Sequence, residues 1–267
     1  MPAGLDQIVA ATRRKVAQAR CATDLRELER QAEQHVPRGF RRALESRNGP
    51  AIIAELKKAS PSHGLIRVDF DPANLASELE TAGATALSVL TDAEFFQGSL
   101  ENLGRASAAT KLPCLRKDFI VDEFQLLEAR AWSGDAVLLI VAALSQVELK
   151  TLAQRAASYQ LDVLCEVHHE DELQRALDAG CNLIGVNSRD LRTFRVDLET
   201  AFLLAGRIPS HILRVAESGI HSREDVTRLA AAGYQAFLIG ESLMRAKSPG
   251  NALRELLADQ AALRTGN

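Results

Sequence analysis

Three features of the sequence predict an α/β fold in which helices and strands alternate. Eight short apolar runs rich in Val, Ile and Leu recur along the chain, and such runs are typical of strands covered on both faces. Amphipathic stretches such as EFQLLEARAW and QVELKTLAQRAASY lie between them. Four of the runs belong to similar segments that contain glycine: TAGATALSVL, WSGDAVLLI, DAGCNLIGV and AAGYQAFLIG. Eight alternating units predict a (β/α)8 TIM barrel.

The ends of the elements follow from local signals. Glycine is favoured just after a helix because it can adopt a left-handed conformation, which predicts helix stops at Gly83, Gly134, Gly180 and Gly233. Asp122, Ser145 and Ser222 each precede an amphipathic stretch and are predicted N-caps. The eight predicted strands are 51–56, 86–90, 113–117, 136–142, 162–167, 183–187, 213–218 and 236–240.

The domain organisation is predicted to be simple. Residues 1–50 carry many charges and are interpreted as one or two helices that form an extension packed on the barrel. No clear linker interrupts the chain, so residues 1–267 are predicted to form one domain. A doubly wound open sheet is the alternative, but no GxGxxG motif follows the first predicted strand.

Composition and charge exclude several classes of function. The net charge is −3, and acidic and basic residues are mixed along the chain, which argues against a nucleic-acid partner. No apolar run is long enough to cross a membrane, and the first residues lack a signal-peptide core. We therefore expect a cytoplasmic protein and a monomer.

The cysteines predict neither zinc binding nor a disulfide framework. The four cysteines form no CxxC, and the single CxxH, Cys165 with His168, has no second such pair beside it, so a metal site is not expected. Cys114, Cys165 and Cys181 lie in or beside apolar runs. The simplest interpretation is buried free thiols in a reducing cytosol.

Polar side chains follow the apolar interior of seven of the eight predicted strands. In a barrel of this class the carboxyl ends of the strands meet at one mouth, where active sites lie. A single Glu or Lys at a strand end is usually solvated or salt-bridged, but six such residues in one mouth favour a functional site. These residues are Glu55, Lys57, Lys117, Glu166, Asn187 and Glu217.

The segment PCLRKDFI places three charges directly after an apolar run. Successive side chains of a strand point to opposite faces, so Arg116 and Lys117 cannot both face the mouth. We predict that Lys117 points inward and that Asp118 pairs with a structural neighbour. The loop and helix-start histidines are predicted to be solvated or capping residues without chemistry: His63, His168, His169 and His221.

Loops after the first, seventh and eighth strands predict binding of a phosphorylated ligand. VAESGI and FLIGESL contain small residues, including Gly219 and Gly240, that let backbone N–H groups approach an anion. KKASPSHG, which contains Ser60 and Pro61, is long enough to fold over a ligand as a lid.

Taken together, these motifs resemble the indole-3-glycerol-phosphate synthase family of tryptophan biosynthesis. The resemblance covers about residues 5–262 and rests on IIAELKKASPSHGLI, LSVLTDAEFFQGS, LPCLRKDFIVDEFQ, LLIVAAL, LCEVH, IGVNSRDL, VAESGI and FLIGESLMR. It implies a TIM barrel with an N-terminal helical extension. It also implies conversion of 1-(2-carboxyphenylamino)-1-deoxyribulose 5-phosphate to indole-3-glycerol phosphate, CO2 and water, without a metal or organic cofactor.

The resemblance also implies roles for individual residues. Lys117 resembles the general acid that protonates the substrate ketone oxygen, and Glu166 resembles the general base of the dehydration. Glu55 and Lys57 match further active-site residues of the family. The residues implied in substrate binding are Asn187, Arg189, Glu217, Ser218 and Ser60, with Gly219, Gly240 and Glu241 at the phosphate.

Loss of CO2 restores the aromatic ring, and an apolar wall with few hydrogen-bond donors suits that step. Leu138, Phe96 and Leu238 are the candidates for this wall. Two other functions stay open from the residues alone. One is a Schiff-base aldolase or sugar-phosphate isomerase on the same barrel, and the other is a non-catalytic barrel that binds a phosphorylated metabolite.

Overall fold

The computed structural model describes residues 4–191 and 193–258. Eight parallel strands close into a barrel, so the predicted fold class is confirmed. In chain order the strands are β1 (Ala51–Leu56), β2 (Ala59–Ser60), β3 (Gly64–Leu65), β4 (Ala86–Leu90), β5 (Cys114–Lys117), β6 (Ala136–Ile140), β7 (Asp162–Val167), β8 (Leu183–Asn187), β9 (Leu213–Glu217) and β10 (Ala236–Ile239).

The barrel consists of β1 and β4 to β10, with each strand beside its neighbour in the chain and β10 closing on β1. The short strands β2 and β3 form a separate antiparallel pair. Helices surround the barrel, and the first three precede it in the chain: α1 (Leu5–Ala22), α2 (Leu25–Gln34), α3 (Phe40–Glu45), α4 (Pro72–Thr81), α5 (Ala93–Phe96), α6 (Leu100–Ala108), α7 (Phe124–Ala131), α8 (Gln146–Ser158), α9 (Glu170–Asp178), α10 (Glu199–Ala205), α11 (Arg223–Ala231), α12 (Glu241–Arg245) and α13 (Pro249–Leu257).

Side chains along each strand point alternately into the barrel and outward to the helices. Both sets are buried. Inward residues such as Ile53, Leu115 and Leu138 form one apolar cluster. Outward residues such as Ile52 and Leu139 form a second cluster between the strands and the helices. Two apolar layers therefore hold the strand ends in place, and the polar residues of those ends are fixed by the strand register.

The N-terminal extension contains three helices, α1 to α3, rather than the one or two predicted. A buried carboxylate, Asp135, anchors it to the barrel: His35 Nε2 lies 2.9 Å from Asp135 Oδ1 and Arg38 N donates to the same oxygen at 2.7 Å. Cys114 N donates to Asp135 Oδ2 at 2.7 Å. Burial alone would raise the pKa of Asp135, but the hydrogen bonds from His35 and Arg38 hold it below its ordinary value.

Most of the predicted element ends are observed. Ser145 and Ser222 are N-caps with complete capping boxes, and Gly83, Gly180 and Gly233 have positive φ. The prediction for Gly134 is wrong, because Ser133 takes the left-handed conformation at φ +62°. Gly134 is instead required by close approach, since a Cβ there would lie 2.9 Å from Ala129 O.

Two further predictions about local structure are wrong. Asp122 lies one residue before the N-cap Glu123 of α7, although its carboxylate accepts a hydrogen bond from Phe124 N at 2.8 Å. Cys165 and Cys181 are paired as a disulfide rather than free, whereas Cys114 is a buried free thiol as predicted. Cys165 faces outward from β7 and meets Cys181 just before β8, a proximity that only the barrel register creates.

Candidate active site

All of the side chains predicted from the sequence line one cavity of about 380 Å³ at the carboxyl ends of the barrel strands. The register explains this convergence: Asn187 pairs with Glu217, and Ile140 pairs with Glu166, at the ends of adjacent strands. The predicted residues on the cavity wall are Glu55, Lys57, Ser60, Phe96, Lys117, Leu138, Glu166, Asn187, Arg189, Glu217, Ser218, Gly219, Leu238, Gly240 and Glu241.

Lys117 is the last residue of β5 and points into this cavity, as predicted. Its Nζ lies 3.0 Å from Glu166 Oε2 and 3.6 Å from Glu217 Oε2. Glu166 also accepts a hydrogen bond from the Asn187 side chain. Strands β5, β7, β8 and β9 thus each contribute one polar group to a single buried cluster.

Arg116, the preceding residue, points to the outside of the barrel. Its guanidinium contacts Asp118 Oδ2 at 3.0 Å and Glu128 Oε2 at 3.0 Å, and donates to Gln125 O at 2.7 Å. Thr91 Oγ1 donates to the same Asp118 oxygen at 2.6 Å. The predicted structural pairing of Asp118 is confirmed, and the charges of RKD serve two opposite faces of one strand.

A second ion pair lies at the end of β1, where Lys57 Nζ is 2.7 Å from Glu55 Oε1. Both side chains are largely buried. Glu55 has room only because residue 240 is glycine: a Cβ on Gly240 would overlap the Glu55 carboxylate. In the same way, a Cβ on Gly185 of β8 would overlap Glu217 Oε1.

The buried charges of the cavity are unevenly paired, since Lys57 lies against Glu55 whereas Lys117 lies between Glu166 and Glu217. Burial and the nearby charges of Glu166 and Glu55 raise the pKa of Glu217 to about 8, against the lowering effect of Lys117. Burial would also raise the pKa of Glu166, but the charges of Lys117 and His168 hold it below its ordinary value. The carboxylates raise the pKa of Lys117 although burial opposes them. These effects favour a charged Lys117, an ionised Glu166 and the protonated form of Glu217.

The loops after β9 and β10 form a concave, glycine-containing part of the wall. Ser218 and Gly219 have φ of +66° and +77°, and a Cβ on Gly219 would lie 2.6 Å from Val196 Cγ1. The Glu241 carboxylate is held by two guanidinium groups: Arg189 Nη2 donates to it at 3.3 Å and Arg245 Nε at 3.1 Å. Small residues here leave room for an anion to approach backbone N–H groups.

The predicted lid after β1 contains the short antiparallel pair of β2 and β3. Ser60 Oγ lies 3.4 Å from Ser62 Oγ, and Ser62 Oγ lies 2.9 Å from His63 Nδ1. His63 Nε2 in turn lies 3.4 Å from Glu241 Oε1. The lid segment therefore meets the loop after β10 across the cavity.

The apolar side of the cavity includes residues that the sequence analysis did not identify. Leu138, Phe96 and Leu238 lie there as predicted. Phe119 joins them, with its ring centroid 6.3 Å from that of Phe96. Ile8, together with Leu5, brings the N-terminal helix α1 to the cavity wall. Residues 1–50 were predicted to form a helical extension packed on the barrel, but only the fold shows that apolar residues of α1 reach the site.

The prediction that all loop histidines are solvated or capping residues is wrong for His168. Its ring is mostly buried, with Nε2 3.5 Å from Glu166 Oε1 and Nδ1 3.0 Å from Glu172 Oε2. The signal that could have identified it is its spacing from Glu166, because residues two apart on a strand point to the same face.

The described part of the chain contains no cluster of three or more His, Cys, Asp or Glu side chains arranged to hold a metal ion. Within residues 4–191 and 193–258, no helix combines the length and apolar character that crossing a membrane requires.

Comparison with known proteins adds evidence independent of this geometry. A family model described as Indole-3-glycerol phosphate synthase matches residues 5–256. A relative with this name from Koribacter versatilis is 60% identical over 259 residues, which are 96% of this chain and 100% of the relative. Another from Leptothrix cholodnii is 48% identical over 258 residues, which are 95% of this chain and 98% of the relative.

The barrel is also similar to solved structures at much lower identity. A mutant tryptophan synthase alpha-subunit from the hyperthermophile Pyrococcus furiosus aligns with a TM-score of 0.59 and 16% identity. The alignment covers 78% of this chain and 97% of that chain. At this identity the likeness shows the fold alone.

Proposed function

The chain belongs to the indole-3-glycerol phosphate synthase family, and from this premise we propose how the residues of its cavity divide the reaction. The resemblance found in the sequence is confirmed, as is the prediction of a carboxy-lyase of tryptophan biosynthesis. The reaction closes a ring, releases CO2 and eliminates water. Each step needs a proton donor, a proton acceptor or an apolar surface at a defined place.

Lys117 is the general acid of ring closure in this proposal. As the aromatic carbon attacks the ketone carbon, the ketone oxygen becomes a hydroxyl and takes a proton from the ammonium group. The Glu166 carboxylate at 3.0 Å supports this role because it keeps Lys117 charged until substrate arrives. A charged donor supplies both the proton and electrostatic stabilisation of the developing oxyanion.

Glu166 is the general base that removes a proton as the hydroxyl leaves. Its anionic form is favoured by the Lys117 and His168 charges and by the Asn187 hydrogen bond. The raised pKa of Glu217 favours its protonated carboxyl, which can donate a hydrogen bond. Glu217 and Asn187 bind the anthranilate portion and the sugar hydroxyls. Two carboxyls on adjacent parts of the wall thus take different protonation states.

Lys57 binds the substrate phosphate and assists proton transfer, oriented by Glu55 at 2.7 Å. The phosphate lies against the loops of Ser218, Gly219, Gly240 and Glu241, where backbone N–H groups bind its oxygens. Arg189 and Ser60 contribute at the rim of the same cavity.

The carboxylate that leaves as CO2 faces the apolar side of the cavity. Phe96, Leu138 and Leu238 offer no hydrogen bonds to it, so the ionised carboxylate is not stabilised relative to neutral CO2. This environment favours the charge-losing step.

The observation that carries the proposal is the Lys117–Glu166 pair at 3.0 Å, buried in the cavity beside a second carboxyl. The test is indole fluorescence after the carboxyphenylamino-deoxyribulose phosphate is added in the presence of EDTA. Fluorescence should grow, because the proposed acid and base are side chains and no cofactor is expected. Folded protein that gives no signal would contradict the proposal and favour a barrel that only binds.

A Schiff-base aldolase would use one of the same lysines differently. Borohydride in the presence of a ketose phosphate traps a lysine Schiff base. We expect no trapped adduct and no decrease in the rate of product formation measured by fluorescence after this treatment. A covalent adduct on Lys117 or Lys57, detected by mass spectrometry, would support the aldolase instead.

The setting of the protein is also part of the proposal. We place it in the cytoplasm as a monomer that binds a small phosphorylated substrate and neither nucleic acid nor membrane. The mixed surface charge at net −3 supports the absence of nucleic acid. Size-exclusion chromatography with light scattering measures the mass of the protein in solution and so tests the monomer. Fractionation of the source cells tests the cytoplasmic location.

A further inference from the structure

Four titratable side chains form a continuous row from the buried Glu166 to the protein surface. Glu166 is 1% exposed, and its Oε1 lies 3.5 Å from His168 Nε2. His168 Nδ1 lies 3.0 Å from Glu172 Oε2, and the exposed His169 lies 3.0 Å from the other Glu172 oxygen. The row runs behind the cavity wall, on the side of Glu166 away from Lys117.

The His168 ring is held tightly in this row. Glu172, in the first turn of α9, accepts from both the backbone N of His168, at 2.7 Å, and the ring Nδ1. Two bonds to one carboxylate oxygen fix the ring and leave Nε2 directed at Glu166. Nε2 is buried and has no hydrogen-bond partner among the described residues, so the ion contact with Glu166 is its one polar interaction on that side.

Acidic side chains of three elements act on His168. They are Glu166 of β7, Glu172 of α9 and Glu217 of β9, with His169 on the far side of Glu172. Burial lowers the pKa of His168, but these carboxylates outweigh burial and raise it above its ordinary value. The protonated form of the ring is therefore favoured relative to that of an exposed histidine.

We propose that His168 is a positioning residue for the general base: clamped by Glu172, its imidazolium orients the Glu166 carboxylate and keeps it ionised. This inference rests on the proposed role of Glu166. Lys117 contacts Oε2 and His168 faces Oε1, so each oxygen of the base has its own cation. When Lys117 gives its proton to the substrate and becomes neutral, His168 remains as the charge that supports Glu166.

The test uses full-length protein with His168→Gln, Glu172→Gln and the matched control His169→Gln. His169 touches Glu172 but not Glu166, so its variant should keep kcat and KM within about twofold. His168→Gln should lower kcat about tenfold or more with little change in KM, since the base and not binding is affected. Circular dichroism confirms that each variant is folded.

The pH profiles of kcat separate positioning from a merely structural role. Removal of the His168 charge raises the pKa of Glu166, so the acidic limb of His168→Gln should move to higher pH. Glu172→Gln removes the carboxylate that holds the ring proton, so activity should fall at lower pH on the alkaline side. Glu217 also raises the pKa of His168. Because Glu217 is present in both wild type and Glu172→Gln, this effect cancels when the two pH profiles are compared.

The remaining outcomes each contradict a stated part of the account. Profiles that superimpose on wild type after scaling, in whichever of the two variants folds, would show that His168 acts only structurally and would overturn the inference. Glu166→Gln distinguishes this result from a failure of the proposed function: wild-type turnover in that variant would show that Glu166 is not the base, and both proposals would fall.

Discussion

The two faces of β5 carry adjacent buried charges that differ in how completely they are matched. Outside the barrel, Arg116 contacts Asp118 and Glu128 at 3.0 Å, and Thr91 satisfies Asp118 further. Inside, the Lys117 ammonium also faces two carboxyls, those of Glu166 and Glu217, but Glu217 Oε1 has no hydrogen-bond partner in the described residues. The matched cluster stabilises the fold, whereas the unmatched one keeps groups available for a substrate.

This difference has an energetic reason. A buried charge costs free energy unless partners replace its hydration, so an incompletely paired cluster lowers stability. Proteins retain such clusters where function requires them. We therefore expect substitutions on the two faces of β5 to affect different measurements.

The largest effect is expected from Lys117→Ala. Turnover should fall about 10²-fold or more because the ketone oxygen loses its proton donor. The protein should remain folded, since Glu166 lines a cavity open to water and can take up a proton, and the protonated form of Glu217 is already favoured. Steady-state fluorescence kinetics and thermal unfolding measure the two quantities, and near wild-type turnover would contradict the role of Lys117.

Arg116→Ala is the matched substitution on the outer face. It leaves Asp118 and Glu128 buried without their cation, which should lower the free energy of unfolding by about 3–5 kcal/mol. The kcat of the protein that remains folded should change by no more than a few-fold. Urea unfolding with activity measured at low temperature checks this, and a large loss of kcat at unchanged stability would break the comparison.

Glu217→Gln should change how stability depends on pH. The pKa of Glu217 is raised from 4.5 to about 8, so between these values the folded chain binds more protons than the unfolded chain, and stability falls as pH rises. Glu217→Gln lacks this pH-dependent loss of stability. Its free energy of unfolding should therefore rise relative to that of wild type by about 2–4 kcal/mol between pH 5 and pH 8.5.

The raised pKa of His168 gives a slope of the same sign above its ordinary value of 6.5. That slope is shared by wild type and Glu217→Gln and should largely cancel in the difference. Urea unfolding at a series of pH values measures the difference in free energy of unfolding between Glu217→Gln and wild type. A difference that does not vary with pH would contradict a raised pKa for Glu217.

The smallest effect is expected from Gly185→Ala. The added Cβ overlaps Glu217 Oε1, so the carboxyl must move and stability should fall by about 1–3 kcal/mol. Gly206→Ala is the control, because the structure describes no side-chain or backbone neighbour within 4 Å of a Cβ there. Equal unfolding midpoints for the two variants would show that Glu217 moves freely.

The sequence predicted the barrel well because its signals are local. Strands β1, β4, β7 and β8 have the predicted bounds, since a short apolar run that ends at polar residues needs no tertiary information. The inward direction of Lys117 followed from strand alternation. The candidate residues converged on one cavity because parallel strands bring their carboxyl ends together.

The features that the sequence did not predict depend on contacts between segments that are far apart in the chain. The approach of Ile8 to the cavity and the proximity of Cys165 and Cys181 arise from packing that no local pattern encodes. The clamp of His168 by Glu172 was hidden because each residue alone resembles an ordinary loop or helix-start residue. The left-handed Ser133 also departs from the preference for glycine at such positions.

The most direct test of the unmatched inner cluster is a titration of the Glu217 carboxyl by 13C NMR in the free protein, with Glu217→Gln used to assign its signal. We predict a pKa near 8, the value that burial and the neighbouring carboxylates of Glu166 and Glu55 impose. A signal that titrates near the ordinary value of 4.5 would show that the inner cluster is as fully matched as the outer one, and would contradict the account.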